Sequence, residues 1–255
     1  MNETLAYIEN LTRHTRLEEL WPEHCNYMAK FGFDRIIYGY TNYRSGMMVG
    51  DVDDFFILSN HDPAYLHRFL GEGLYFHGPM FQWTLNNSGA ASWGMAAKAL
   101  NEGALSDQQL NVLEVNKSFG IQAGYTVSFP TVSSRTKGAI SLAARSDLPQ
   151  ADIDEMWDKH GREIELINNV AHLKVQSLPH ANSERELTSR QREVLEWVGD
   201  GKTIQDIAML IERTPATVEK HLRLARDAMN VETTAQALLK ASFMKQIYLL
   251  EAPRP

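Results

Sequence analysis

Four threonines near the end of the 255-residue chain constrain its fold more tightly than any other feature. Thr188 is followed three residues later by Gln191, and Thr233 by Gln236. In that arrangement the hydroxyl accepts from the third amide of a helix while the glutamine side chain reaches back to the cap's own N–H, so two otherwise orphaned donors are satisfied together. Thr203, three residues before Asp206, caps another helix, and Thr214 places an oxygen just ahead of Pro215. The fixed φ and missing N–H of proline suit a first helical position. Gly201 supplies the left-handed stop after the first helix. The pattern predicts four short helices, the last from Thr233 to Tyr248.

The apolar spacing inside these helices sets their inner faces. Ile204, Ile207, Ala208 and Ile211 point inward from the second, and Val218, Leu222, Ala225 and Met229 from the third. Ile211 to Pro215 is left as a tight turn, which makes the pair a helix-turn-helix. Ala216, Glu219, Lys220, Arg223, Arg226 and Asp227 then face outward. In such a motif the second helix enters the major groove, where Lys and Arg donate to guanine and acids accept from cytosine. Lys220 and Arg223 are the expected base readers, with Glu219 as discriminator. Lys202, Thr203, Thr217 and Arg226 sit at helix starts and flanks, where phosphate contacts position without specifying sequence. His221 is expected to bond backbone or phosphate. The competing reading is a solvated charged face on a helical bundle; turn, caps and cationic face together favour double-stranded DNA.

The net charge of -7 excludes a chain whose whole surface is a nucleic-acid or membrane patch, but it is unevenly divided. From Glu184 to Leu250 ten basic residues balance ten acidic ones, so the acidic excess lies in residues 1–183. Ser177 to Ser183, with Pro179 in its middle, interrupts the apolar periodicity on either side and reads as a linker. We therefore expect domains at 1–176 and 184–255. No apolar run approaches the length of a membrane span, and Met1 to Asn10 lacks the basic and apolar regions of a signal peptide, so no membrane partner and a cytoplasmic location are expected. Cys25, the sole cysteine, excludes an intrachain disulfide and a cysteine-rich zinc site, and its place on an apolar helix face predicts a buried thiol.

The front part mixes two periodicities. Leu17, Leu20, Trp21, Met28 and Phe31 share one helical face, as do Ile153, Met156, Trp157, Ile164, Ile167 and Ala171 in a long helix from about Ala151 to Gln176. Arg35 to Tyr43, Phe55 to Ser59, Ala90 to Trp93, Gly124 to Phe129 and Gly138 to Ala144 read as strands. Helices before, between and after a run of strands predict an α/β/α sandwich around an antiparallel sheet. The whole chain is thus α+β, a sandwich followed by an all-α four-helix helix-turn-helix domain.

Leu187-Thr188-Ser189-Arg190-Gln191-Arg192-Glu193-Val194-Leu195, Gly201-Lys202-Thr203, Ile207-Ala208 and Thr217-Val218-Glu219-Lys220-His221-Leu222 resemble the DNA-binding domain of LuxR-type regulators. Such domains also follow phosphoreceivers, but the front part has no acidic cluster with a phosphorylatable Asp and later Lys. Instead, Tyr65, Phe69, Gly78-Pro79 and Trp93, with Phe119-Gly120-Ile121 and Gly124, resemble the spacing of the quorum-sensing ligand-binding domain. The resemblance implies an acyl-homoserine lactone, or a related amphipathic signal, held between sheet and helices. Its Trp donor to the lactone carbonyl is here Tyr65, its acyl-contacting Tyr is Phe69, and its amide-accepting Asp is Gly78. An unpaired buried amide costs ~1–3 kcal/mol, so another acceptor is needed: His61, His77 or a backbone carbonyl.

Further pocket candidates are Tyr38 and Tyr40, on one face of the first strand, and Ser141, whose hydroxyl suits a ligand carbonyl. Trp93 is a candidate wall, and Met47, Met48, Met80 and Phe81 suit a long acyl tail. No catalytic motif is present: there is no His-Glu-x-x-His, no nucleophile elbow, and Gly71-Glu72-Gly73 lacks the third glycine of a dinucleotide loop. Neither a catalytic nor a metal site is expected, and no cofactor beyond the signal. The expectation is a ligand-responsive transcriptional regulator of quorum-sensing type, acting as a homodimer on a palindromic operator. The alternatives are a ligand-independent regulator with a self-filled pocket, and a front domain that is a degenerate enzyme or protein-interaction module.

Overall fold

The computed structural model describes residues 3–44, 55–179 and 186–249. Met47, Met48 and residues 180–183 of the expected linker lie outside them. The chain forms two compact units, Met1–Val175 and Gln176–Pro255.

The first unit opens with α1 (Glu3–Arg13) and α2 (Leu17–Ala29). Strands β1 (Phe33–Thr41) and β2 (Phe56–Ser59) follow. Next come α3 (Pro63–Leu66), capped by the Asp62 side chain, two further helical turns over His67–Gly71 and Leu74–His77, and α4 (Pro79–Asn86). The unit continues with β3 (Gly89–Ser92), α5 (Gly94–Asn101), α6 (Asp107–Ser118), β4 (Gly124–Ser128), β5 (Lys137–Ala144) and α7 (Gln150–Ser177). All five expected strands are present, their ends shifted by at most two residues. They form one sheet in the order β2-β1-β5-β4-β3, antiparallel throughout.

Period-two alternation gives this sheet two different faces. Ile36, Tyr38, Ile140 and Leu142 are buried on one, in a core that also takes Leu20, Met28, Ile164 and Ile167 from α2 and α7. Two histidines are built into that layer. His24 lies between the Tyr7 hydroxyl (2.9 Å) and Asn168 Oδ1 (3.1 Å), and the His172 ring stacks on Phe129 at 4.0 Å while Nδ1 meets the Tyr38 hydroxyl at 2.8 Å. Burial lowers both imidazoles to a pKa of about 4. Cys25 is buried in α2, and burial pushes its thiol up to about 12. The opposite face of the sheet is covered only partly by α3 to α6, and there the sandwich is hollow.

The second unit contains α8 (Ser189–Gly199), α9 (Ile204–Leu210), α10 (Pro215–Met229) and α11 (Thr234–Phe243). Thr188, Thr203, Thr214 and Thr233 cap them in turn, each accepting from the amide three residues on. Gly201 takes a left-handed φ of 79° after α8. Val194, Leu195, Ile207, Val218, Leu222 and Met229 form the core. The last helix ends at Phe243, short of the expected Tyr248. Lys245 and Tyr248 are left-handed, and Gln246 turns back to α8, where its Oε1 accepts from the Leu187 amide at 2.9 Å and its carbonyl from Arg192 Nε at 2.6 Å.

Candidate functional site

The hollow is a cavity of about 510 Å3, well within the range of small-molecule sites. Its floor is the sheet face carrying Ile37, Gly39 and Thr41 of β1 with Ala139 and Ser141 of β5, and its walls are largely aromatic. His61, Tyr65, Phe69, Gly78, Met80, Trp93 and Ser141 all line it, as does Phe81. The rings pack in sequence: His61 stacks on Tyr65 at 4.8 Å and Tyr65 on Phe69 at 5.2 Å, with Phe119 edge-on to Tyr65 at 5.4 Å. These side chains wall the cavity without closing it.

Tyr38 and Tyr40 do not belong to it. They share a face of β1, as alternation requires, but it is the opposite face: the Tyr38 hydroxyl is hydrogen-bonded to His172 Nδ1 and that of Tyr40 donates to Asn42 Oδ1, both at 2.8 Å. Sequence parity pairs positions on a strand but does not say which face a helical layer will leave open. His77 also lies away from the cavity lining.

The polar groups of the cavity are already partly paired, which changes what they offer. Trp93 Nε1 donates to Thr126 Oγ1 at 2.9 Å, and that hydroxyl is 3.2 Å from Ser141 Oγ. Two hydroxyls share one mutual bond, so one O–H proton remains for a ligand acceptor. The Tyr65 hydroxyl donates to Asn116 Oδ1 at 3.0 Å. The phenol therefore presents a lone pair to the cavity, not the proton expected of it. Gly78, at φ -64° and ψ 125° ahead of Pro79, offers no side-chain acceptor, and its N–H is committed to the Tyr75 carbonyl at 3.0 Å. A Cβ there would stand 3.2 Å from that same carbonyl, so a side chain would crowd the turn.

His61 is the acceptor nearest in kind. Burial, reinforced by the Arg35 cation, lowers its pKa to about 4, so the ring is neutral at pH 7 and keeps one bare nitrogen. Among the described residues neither ring nitrogen has a hydrogen-bond partner. Arg35 itself ties the end of α6 to the sheet through the Phe119 and Ala144 carbonyls, at 2.9 and 2.6 Å. Thr126, Asn116 and Lys137 are site residues that the sequence did not single out. Only strand register puts Thr126 opposite Ser141 and Lys137 opposite Thr41.

In the second unit α10 presents Glu219, Lys220 and Arg223 to solvent. Glu219 and Lys220 make no hydrogen bond or ion pair among the described residues, whereas Arg223 pairs with Asp227 at 3.1 Å. Arg226 is half-buried and donates to Thr234 Oγ1 at 3.0 Å, joining α10 to α11 at the flank of this face. Lys202 is exposed beside the start of α9. Thr203 is bound up in its cap, accepting from the Asp206 amide and donating to Asp206 Oδ2 at 2.7 Å, and the Thr217 hydroxyl meets that of Thr214 at 3.0 Å. Both hydroxyls must share these bonds before reaching a phosphate.

The autoinducer binding domain family matches residues 16–175, the unit that holds the cavity, and the luxR family of bacterial regulatory proteins matches residues 185–241. The chain belongs to the LuxR-type regulators. The transcriptional activator AnoR of Acinetobacter nosocomialis is 22% identical over 84% of this chain and 85% of its own length. The activator LuxR of Aliivibrio fischeri is 24% identical over 86% of this chain and 80% of its own. SdiA of Escherichia coli, solved in complex with octanoyl-rac-glycerol, shares the fold with a TM-score of 0.53 and 16% identity, covering 94% of this chain and 93% of that one. LuxR-type regulators are DNA-binding transcription factors responsive to a small-molecule signal, not an enzyme family. In this member no helix among the described residues is long and apolar enough to cross a membrane, and no group of side chains there could hold a metal ion.

Proposed function

We propose that this LuxR-type regulator, with residues 1–176 as sensor, 177–183 as linker and 184–255 as reader, binds an amphipathic acyl compound over its sheet. The reading rests on one observation, the 510 Å3 apolar cavity whose His61, Tyr65, Trp93 and Ser141 gather at one end. That inventory suits a carbonyl-bearing head: the spare Thr126–Ser141 proton meets a carbonyl, and His61 with the Tyr65 oxygen accepts an amide N–H in place of the carboxylate missing at Gly78. An acyl-homoserine lactone or a related acyl amphiphile has this pattern of groups.

The regulator acts as a homodimer on a palindromic operator, since two reading heads multiply weak contacts. Leu166 and Leu173 on α7 are 54% and 66% exposed, and Leu239 on α11 is 55% exposed; both helices supply apolar surface for the dimer. Lys220 and Arg223 read bases, and Lys202 and Arg226 hold phosphates. Signal binding fills the sensor core and shifts the population toward the dimer that docks on DNA.

Protein purified from its own host and extracted with solvent should yield a stoichiometric amphiphile. Returning that compound should raise both the melting temperature and the operator affinity. Equal values with and without it overturn the reading.

A further inference from the structure

The cavity has a second polar end, and it is cationic. Lys137 is the first residue of β5, lines the cavity and is only 8% exposed. Its Nζ donates to the Asn87 carbonyl at 2.9 Å. That bond engages one of three ammonium protons, and among the described residues no carboxylate pairs with Lys137. Capping α4 does not by itself account for the lysine, because Ser128 Oγ already donates to the same Asn87 carbonyl at 2.6 Å. Burial and the neighbouring positive charge of Arg44 lower the lysine's pKa, so its charged form gains from any anion brought to it.

The two polar ends stand apart along the sheet. Ser141 pairs with Ile37 of β1 and Lys137 with Thr41, four residues further along. At ~3.4 Å per residue the hydroxyl relay and the ammonium are separated by about 14 Å of strand. A signal seated at the Ser141 end with a plain alkyl tail running toward Lys137 would press hydrocarbon against a buried charge.

We infer that the signal is polar at both ends: an acyl chain whose carbonyl head meets Ser141 and whose far terminus carries a carboxylate, or an equivalent anion, that pairs with Lys137. This rests on the cavity being the signal site, and it adds the chemistry of the far terminus.

Two probes separate the ideas, methyl dodecanoate and the monomethyl ester of dodecanedioic acid, which share the ester and chain and differ by a terminal carboxylate. Titrated into the full-length protein by calorimetry at neutral pH, the acid-ended probe should bind roughly ten- to a hundredfold tighter, as expected for a charge-assisted contact. Lys137→Met, whose Asn87 carbonyl keeps its Ser128 donor, should erase that preference while still binding the plain ester, and Lys137→Arg should retain it. Equal or weaker binding of the acid-ended probe by the unmodified protein, or a preference that survives in Lys137→Met, overturns the assignment of the far terminus and leaves the cavity as signal site. Binding of neither probe overturns both.

Discussion

Arg223 gives the sharpest test of how the second unit meets DNA. Its ion pair with Asp227 spans 3.1 Å between side chains that are 58% and 60% exposed. A pair so open to water is worth ~0–1 kcal/mol, whereas a bidentate guanine contact is worth ~1–3 kcal/mol. Arg223 should therefore leave Asp227 for a base. Arg223→Ala should lose about 1–3 kcal/mol per half-site, roughly five- to 150-fold, and nearly the square of that for a dimer on two half-sites. Asp227→Ala should cost no affinity, because it removes only the competing partner. The assay is fluorescence anisotropy on a sequence enriched from a random duplex pool, repeated over several salt concentrations. For Arg223→Ala we expect preference to flatten at one position in each half-site. A uniform loss over all sequences, with the salt slope shallower by about one, would instead make Arg223 a phosphate contact. No loss at all would sink the placement of α10 in the groove.

Two further perturbations probe the sensor. Thr126→Val strands the half-buried Trp93 N–H without an acceptor, a loss of ~1 kcal/mol that should lower the melting temperature by about 2–4 °C. Ser141→Ala leaves that bond intact, so it should weaken signal binding several-fold at nearly unchanged stability; equal destabilisation by both would contradict the relay. The imidazoles of His24, His61 and His172 sit near pKa 4 in the fold, below their ordinary 6.5. With the folded value depressed, the unfolded chain binds the extra proton, so stability is full above pH 6.5 and falls as pH drops toward 4. Each histidine forfeits about 2 kcal/mol by pH 5. Urea unfolding of the first unit should register this decline, and His61→Phe, which breaks no hydrogen bond among the described residues, should reduce it by about a third. A midpoint independent of pH between 7 and 5 would refute the burial of these rings.

The parts of the fold that could be read from sequence are those written in short-range chemistry. A threonine and the residue three positions on fix a helix start without reference to anything distant, and all four such signals in the second unit mark real caps. The same signal stands at Ser106 and Gln109 and opens α6. Strand limits followed from turn residues for a similar reason. What stayed hidden depends on partners far along the chain. Tyr38 and Ile37 are equally plausible floor residues until α2 and α7 claim one face. Thr126 gains its role from register with Ser141, and beyond the end of α11 Gln246 finds its partner at Leu187, far back along the chain. Gly78 was legible as an absence, but that the His61 imidazole has no hydrogen-bond partner among the described residues became visible only once the fold had turned it into the same space.

The Trp93, Thr126 and Ser141 relay has a consequence for selectivity. With the indole proton fixed on Thr126 Oγ1, the two hydroxyl rotors have two consistent settings. If Thr126 donates to Ser141, the Ser141 proton turns to the cavity; if Ser141 donates to Thr126, the Ser141 oxygen faces the cavity and the Thr126 proton must find an acceptor there. The switch needs two bond rotations and no backbone movement. For the proposed signal, a carbonyl head suits the first setting, and a hydroxyl head suits the second only if it also accepts from Thr126. Lys137 has no such second setting, because an ammonium cannot accept.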